Sequence, residues 1–179
     1  GFDLNSTIVS QLNKGVSHIE GVASSDMKQA IFNGNYKATT DGSEIAGSEI
    51  VVIAVPTPLD ENRKPDLTYI DSACKVIAEN LTGPALIINE STSYPGTLRK
   101  EIAARITGIN HLYASSPERV DPGNAVWSTK NTPRLMGGLT PEAASKAKEF
   151  YSSFCDTVIE VSSPEVAEAA KIFENTFRQ

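Results

Sequence analysis

Two short segments hold residue types and spacings that could carry acid–base chemistry or bind a ligand. In Ser115-Ser116-Pro117-Glu118-Arg119-Val120-Asp121-Pro122-Gly123-Asn124 a carboxylate stands next to a guanidinium. Such a carboxylate can take a proton from an attacking water while the cation clamps an anionic substrate. The same pair on a surface is an ion pair worth under about 1 kcal/mol. Spacing alone leaves both readings of Glu118 and Arg119 open. In Glu90-Ser91-Thr92-Ser93-Tyr94-Pro95-Gly96-Thr97, hydroxyls crowd between an apolar run and a helix start, where unpaired backbone N–H groups point outward. Capping accounts for one or two of those hydroxyls, not for all of them.

Three weaker signals accompany these. Val55-Pro56-Thr57-Pro58 fixes an extended, stiff backbone with few free donors, suited to lie along a flat ligand or simply to make a rigid turn. Gly1-Phe2-Asp3 ends in an acid, which could accept ribose hydroxyls at a strand end or cap the helix that starts near Asn5-Ser6. Lys171, Asn175 and Arg178 fall at i, i+4 and i+7 of the last helical pattern, forming one polar stripe that serves a solvated face as well as a site. His18 and His111 are isolated, Cys74 lies on an apolar helix face, and Cys155 lies at a helix end. We read all four as surface or packing residues and expect no metal site.

These segments sit between elements that alternate. Ile50 to Val55 is an unbroken apolar run ended by Pro56, the signature of a strand covered on both faces. Ile70, Ala73, Cys74, Ile77 and Leu81 follow at helical spacing, with Asp66 or Thr68 to cap the start and Gly83-Pro84 to stop it. Ala85 to Ile88 is the next strand; Leu98, Ile102 and Ile106 mark a helix closed by Gly108; His111 to Ala114 is a short strand. Residues 119–133 lack a period and read as a long loop before a strand at Arg134 to Leu139. Thr140-Pro141-Glu142 and Ser163-Pro164-Glu165 are helix starts, and a strand from Thr157 to Val161 lies between the two helices. This order predicts a parallel sheet wrapped by helices on both sides, whose ligands sit off the carboxyl ends of the strands.

Composition narrows the class. The chain has 179 residues, 40% hydrophobic and 21% charged, with a net charge of −6. That balance argues against a nucleic-acid binder, which needs a basic face. No apolar run approaches the roughly 20 residues of a membrane helix, and the two cysteines are too few for a disulfide scaffold. We expect a soluble, cytoplasmic domain with no membrane partner. The opening Gly1-Phe2-Asp3 reads as a piece of something longer.

Taken together and in order, the segments Val55 to Asp60, Lys64 to Thr68, Glu90 to Thr97, Ser116 to Asn124 and Ser163 to Arg178 resemble the UDP-glucose/GDP-mannose dehydrogenase family. Within it, the chain is most similar to members that oxidise UDP-N-acetylhexosamines. The resemblance implies a Rossmann-like doubly wound parallel sheet, with residues 1–162 a partial NAD-binding domain and 163–179 the start of a long connecting helix. It implies a 6-dehydrogenase that carries the C6 hydroxyl of UDP-N-acetylmannosamine or UDP-N-acetylglucosamine to a carboxylate, with two NAD, through an aldehyde and a cysteine thioester, for surface polysaccharide. Position by position, it makes Asp3, Val55, Pro56, Thr57, Ser91 and Thr92 cofactor contacts, with Thr92 near the reacting carbon. Glu118 becomes the base of the hydrolytic step. Glu118, Arg119, Val120, Lys171, Asn175 and Arg178 become sugar-nucleotide contacts, and the full-length form a homodimer. The family's first strand and glycine-rich loop belong before Gly1 and its catalytic Cys beyond Gln179; no Gly-x-Gly-x-x-Gly occurs in the chain. The competing expectations are a non-catalytic Rossmann-like binding domain, or a hydroxyacid or acyl-CoA dehydrogenase of related fold.

Overall fold

A computed structural model describes residues 1–19, 21–120 and 126–178, the side chain of Arg178 excepted. The polypeptide opens with an extended segment in which Phe2 bridges Thr39 in parallel. Helix α1 (Ser6–Asn13) follows, capped by the Asn5 side chain, which accepts the N–H groups of Thr7 and Ile8. Asp3 is therefore not the cap; its Oδ1 accepts the Asn5 N–H at 2.7 Å. Helix α2 (Ser24–Phe32) and a single 3₁₀ turn at Gly42–Ile45 lead to strand β1 (Ile50–Ile53). Helix α3 (Thr68–Asn80) and strand β2 (Leu86–Asn89) come next. Asp66 stabilises the entry to α3 by accepting from both the N–H and the hydroxyl of Thr68.

The helix expected from Leu98 to Ile106 is less regular than its spacing predicts. A π-helical turn (Leu98–Ile102) runs into a short α4 (Ala103–Arg105), and Ile106 already leaves the helix. Strands β3 (Leu112–Ser115) and β4 (Arg134–Gly138), helix α5 (Pro141–Ser152), strand β5 (Val158–Glu160) and helix α6 (Pro164–Arg178) complete the chain. The Thr140 hydroxyl caps α5 by accepting the Ala143 N–H at 3.1 Å.

The sheet order is β1-β2-β3-β4-β5. Strands β1, β2 and β3 pair in parallel, but β4 runs antiparallel to β3, with Ser115 opposite Gly137 and Ala114 opposite Gly138. Strand β5 is parallel to β4. The all-parallel expectation fails at this one junction, because the described part of the connection from β3 to β4 holds no helix; without a helical crossover the chain simply turns back. A second expectation is corrected at β1. One face is covered by α3, whose Ile70, Cys74 and Ile77 pack with Ile53 and Ile87. On the other face Ile50 and Val52 are each 38% exposed. Helix α5 covers Leu86, Ile88, Ala114 and Met136 there and stops short of β1, while Val9, Leu12, Met27 and Ala38 form a separate cluster. A groove of about 630 Å³ lies beside Ile50, Leu86, Leu112 and Phe150, at the amino ends of the parallel strands. Among the described residues no helix is long and apolar enough to cross a membrane.

Two adjacent glycines let both long helices begin against β4. A Cβ on Gly137 would meet the Ser163 carbonyl carbon and oxygen at 2.5 Å and the Pro164 nitrogen at 2.7 Å, where α6 starts. A Cβ on Gly138 would strike the Ala144 nitrogen and, at 2.8 Å, the Thr140 oxygen on the α5 side. Helix α6 is fastened in its second turn by Glu168, fully buried, whose two carboxylate oxygens accept the Gly96 N–H at 2.6 Å and the Leu98 N–H at 2.9 Å. Burial pushes the Glu168 carboxyl above its ordinary value despite those two donors.

Two stability predictions follow from this packing. Gly137→Ala should cost about 3 kcal/mol, because backbone must move to admit the methyl; an unchanged urea midpoint for the intact protein would contradict the close approach. Glu168 favours folding most when protonated, so its contribution is present below the unfolded value of 4.5 and is lost as pH rises through the raised folded value. The stability of wild type should therefore fall relative to Glu168→Gln as pH climbs from that point. Parallel pH–stability curves for the two proteins would show that Glu168 does not titrate as described.

Candidate active site

The carboxyl ends of β1, β2 and β3 are laced together by backbone before any side chain contributes. The Glu90 N–H donates to the Ile53 carbonyl, the Ser116 N–H to the Asn89 carbonyl and the Glu118 N–H to the Glu90 carbonyl, at 2.9, 2.9 and 3.2 Å. The residues expected to line a cofactor meet on the β1 side of this edge. The buried Ser91 hydroxyl accepts the Val55 N–H at 2.9 Å and donates to the Val55 carbonyl at 2.8 Å. The Thr57 hydroxyl, between exposed Pro56 and Pro58, donates to the Thr92 carbonyl at 2.6 Å. Val55, Thr57, Ser91 and Thr92 thus form one rigid shelf. Asp3 sits exposed at the end of its own extended segment, its N–H donating to the Thr39 carbonyl.

On the β3 side the structure builds a charge network that the sequence reading did not anticipate. Reversal of β4 places its first residue, Arg134, beyond the carboxyl end of β3. Arg134 is 4% exposed. Its Nε donates to the Ser116 hydroxyl at 2.9 Å, one terminal nitrogen to Glu118 Oε2 at 2.7 Å, and the other to the Ser116 carbonyl at 2.9 Å. The guanidinium also pairs with Glu90 and stacks 4.3 Å from the Tyr151 ring centroid. The Tyr151 hydroxyl donates to Glu90 Oε1 at 2.7 Å. Two carboxylates raise the Arg134 pKa against the lowering effect of burial, so the guanidinium stays charged.

Glu118 is held at both oxygens. Oε1 accepts the N–H groups of Arg119 and Val120 at 2.7 and 2.8 Å, and Oε2 faces Arg134. Burial works to raise its pKa, but the Arg134 charge and the two backbone donors outweigh this and hold the carboxyl below the usual range. The side chain remains 40% exposed, so Glu118 is an ionised, oriented carboxylate with one face open. Contacts among the described residues occupy three of its four lone-pair positions, and an outside donor can reach the carboxylate from its exposed face.

Arg119 takes a different direction. Its Nε and one terminal nitrogen grip Glu174 of α6 at 3.0 and 2.5 Å, and the other terminal nitrogen donates to the Pro133 carbonyl at 2.6 Å. The pair ties the loop after β3 to the polar side of α6, where Lys171 is buried and Asn175 half-buried. Val120 is half-buried beside Glu118. The Arg178 side chain and residues 121–125 of the expected substrate loop lie outside the described residues.

Sequence reasoning passed over Glu90, Arg134 and Tyr151. The only local sign of Arg134 is a cation opening an apolar strand, Arg134-Leu135-Met136; Tyr151 falls on the apolar face of α5 and reads as packing.

Residues 1–155 match the model of the UDP-glucose/GDP-mannose dehydrogenase family, NAD binding domain. The chain is 35% identical over 185 residues to the UDP-N-acetyl-D-mannosamine dehydrogenase of Pyrococcus horikoshii, covering 99% of this chain and 44% of that protein. To the UDP-N-acetyl-D-glucosamine 6-dehydrogenase of Pseudomonas aeruginosa it is 30% identical, covering 99% and 43%. The solved structure of the Pyrococcus horikoshii UDP-D-ManNAc dehydrogenase superposes with a TM-score of 0.90 at 33% identity, again over 99% of this chain and 44% of that one. The chain spans less than half the length of these relatives. Its five-stranded, mostly parallel sheet is the Rossmann type. A laced shelf of strand-end residues and an ionised glutamate on the carboxyl edge of that sheet accompany the match, and the chain belongs to the UDP-glucose/GDP-mannose dehydrogenase family as its NAD-binding domain.

Proposed function

We propose that this chain is the cofactor half of an NAD-dependent nucleotide-sugar 6-dehydrogenase that oxidises the C6 hydroxyl of a UDP-N-acetylhexosamine to a carboxylate. The observation that carries the reading is Glu118, oriented by two backbone N–H groups and Arg134, with one face open at the carboxyl edge of the sheet. The names of the relatives above support an N-acetylated UDP-sugar, the manno or the gluco epimer.

The donor set fits the cofactor's ribose. Asp3 is exposed, Oδ1 already accepts the Asn5 N–H, and the carboxylate has lone pairs left for ribose hydroxyls. Val55, Pro56, Thr57, Ser91 and Thr92 supply a shelf whose own polar groups are largely satisfied internally, so a flat ring can lie on it without stripping water from unpaired donors. When bound, NAD accepts hydride at each of the two oxidations.

The second oxidation, as the family resemblance implies, leaves the sugar as a thioester on a cysteine outside this chain. Glu118 then orients a water through its remaining lone pair, takes one proton as the water oxygen bonds to the thioester carbon, and the thiolate departs. A carboxylate with a lowered pKa is a weak base but a reliable one: it is ionised throughout the neutral range. Thr92 stands near the reacting carbon, and Arg119, Val120, Lys171, Asn175 and Arg178 contact the sugar nucleotide. Phe173 and Phe177, 76% and 86% exposed on α6, support a second copy packing along that helix as a homodimer.

Two measurements on the full-length protein test this reading. Wild type should release two NADH per sugar with UDP-N-acetylmannosamine or UDP-N-acetylglucosamine, and Glu118→Gln should stall with a covalent sugar adduct visible by intact mass. No NADH from wild type with either sugar would bring forward the non-catalytic binding domain. Asp3→Ala should raise the KM for NAD roughly tenfold or more, the loss of a charge-assisted hydrogen bond, and leave the KM for the sugar unchanged. Equal changes in both constants would remove Asp3 from the cofactor site.

A further inference from the structure

Among the described residues, Arg134 joins the segments after β2 and β3 to helix α5 at the edge around Glu118. It touches Glu90 at the end of β2, Ser116 and Glu118 after β3, and Tyr151 in the last turn of α5. Its N–H donors meet four acceptors on two segments, Glu90 after β2 and Ser116 and Glu118 after β3, while Tyr151 of α5 covers its face. A planar fork can do this, whereas a single ammonium cannot span two carboxylates and a carbonyl at once. We infer that Arg134 is a positioning residue of the hydrolytic step, whose guanidinium fixes where the Glu118 carboxylate points, with Glu90 and Tyr151 in turn fixing the guanidinium. The inference rests on the proposed role of Glu118 and deepens it.

The geometry explains why the support is needed. Among the described residues, Oε1 of Glu118 is tied to the N–H groups of the two residues that follow it, which belong to the same loop. Oε2 is tied to Arg134, which is anchored in the sheet: its N–H donates to the Thr157 carbonyl of the β5 segment at 2.9 Å. Arg134 therefore connects the loop carboxylate to rigid structure, the arrangement by which supporting residues hold a reacting group in place. The other ionisable groups around the pair are Glu90, Tyr151, the buried Cys155 thiol after α5, and the Arg119–Glu174 ion pair from the loop and α6.

The test separates positioning from bulk stability. In the full-length protein, the Glu118 carboxyl is titrated by carbon-13 NMR on glutamate-labelled enzyme, its signal identified by loss in Glu118→Gln. Glu118 should titrate lowest in wild type, about half a unit higher in Arg134→Lys and about a unit or more higher in Arg134→Met. With the sugar as substrate, Arg134→Lys should lose about tenfold in kcat with the KM for NAD unchanged, since charge is kept but aim is lost. The acid limb of kcat should move upward with the NMR value. An unmoved Glu118 titration in the variants would overturn the inference, as would a wild-type kcat in Arg134→Lys. Should Arg134→Met fail to fold, the Lys variant decides alone. If wild type turns over neither sugar while the titration still moves, the positioning role stands and the proposed reaction falls.

Discussion

The β3 side of this sheet's carboxyl edge depends on one buried cation facing two carboxylates. A guanidinium 4% exposed is tolerable only because its donors are matched; removing a charge from water without such partners costs several kcal/mol. Arg134 meets that demand with Glu90, Glu118 and Ser116, and adds the face of Tyr151. The same pairing works in the other direction. Glu118 would be driven toward its neutral form by burial alone, and the cation keeps it ionised. Structural need and chemical need coincide in a single contact.

The contact exists because β4 runs backward. Were β4 parallel to β3, its first residue would lie at the amino end of the sheet, far from Glu118. The reversal also decides where the helices go. Helix α5 leaves the far end of β4 and returns to the carboxyl edge, which delivers Tyr151 to Glu90. Helix α6 starts against Gly137 on the opposite face and climbs toward the same edge, gripping Gly96 and Leu98 through Glu168 and reaching Arg119 through Glu174. Two glycines in sequence, one for each face, permit both helix starts to touch the strand.

Charge distribution sharpens the picture. The chain carries a net charge of −6, so its overall field repels anions. Any anion that binds the carboxyl edge must then be held by local groups, hydroxyls and backbone donors foremost, because Arg119 is already engaged with Glu174 and the Pro133 carbonyl. The groove beside β1, lined by apolar and charged side chains, lies at the opposite end of the strands.

Local order was legible in the residues themselves. The alternation of apolar runs and helical spacing, the Thr140-Pro141 cap and the family motifs ending in Glu118 are set by neighbours within one or two turns, and a linear reading captures them. So were Ser91, Thr92 and Thr57 as strand-end residues, although not the bonds that lace them. What the sequence could not express was direction and partnership across the fold. Whether β4 runs with or against β3, whether α5 reaches over β1 to cover Ile50 and Val52, and whether Glu90 and Arg134 meet all depend on how distant segments pack. A buried ion pair between residues far apart leaves no period in the chain. Tyr151 looks apolar to a periodicity argument because most of its side chain is an aromatic ring; only the tertiary structure shows its hydroxyl turned to a carboxylate. The sequence by itself determined the elements and the chemistry-bearing segments. The tertiary structure alone decided which of them stand together, because that depends on the compensation of buried charge and the space left by two glycines.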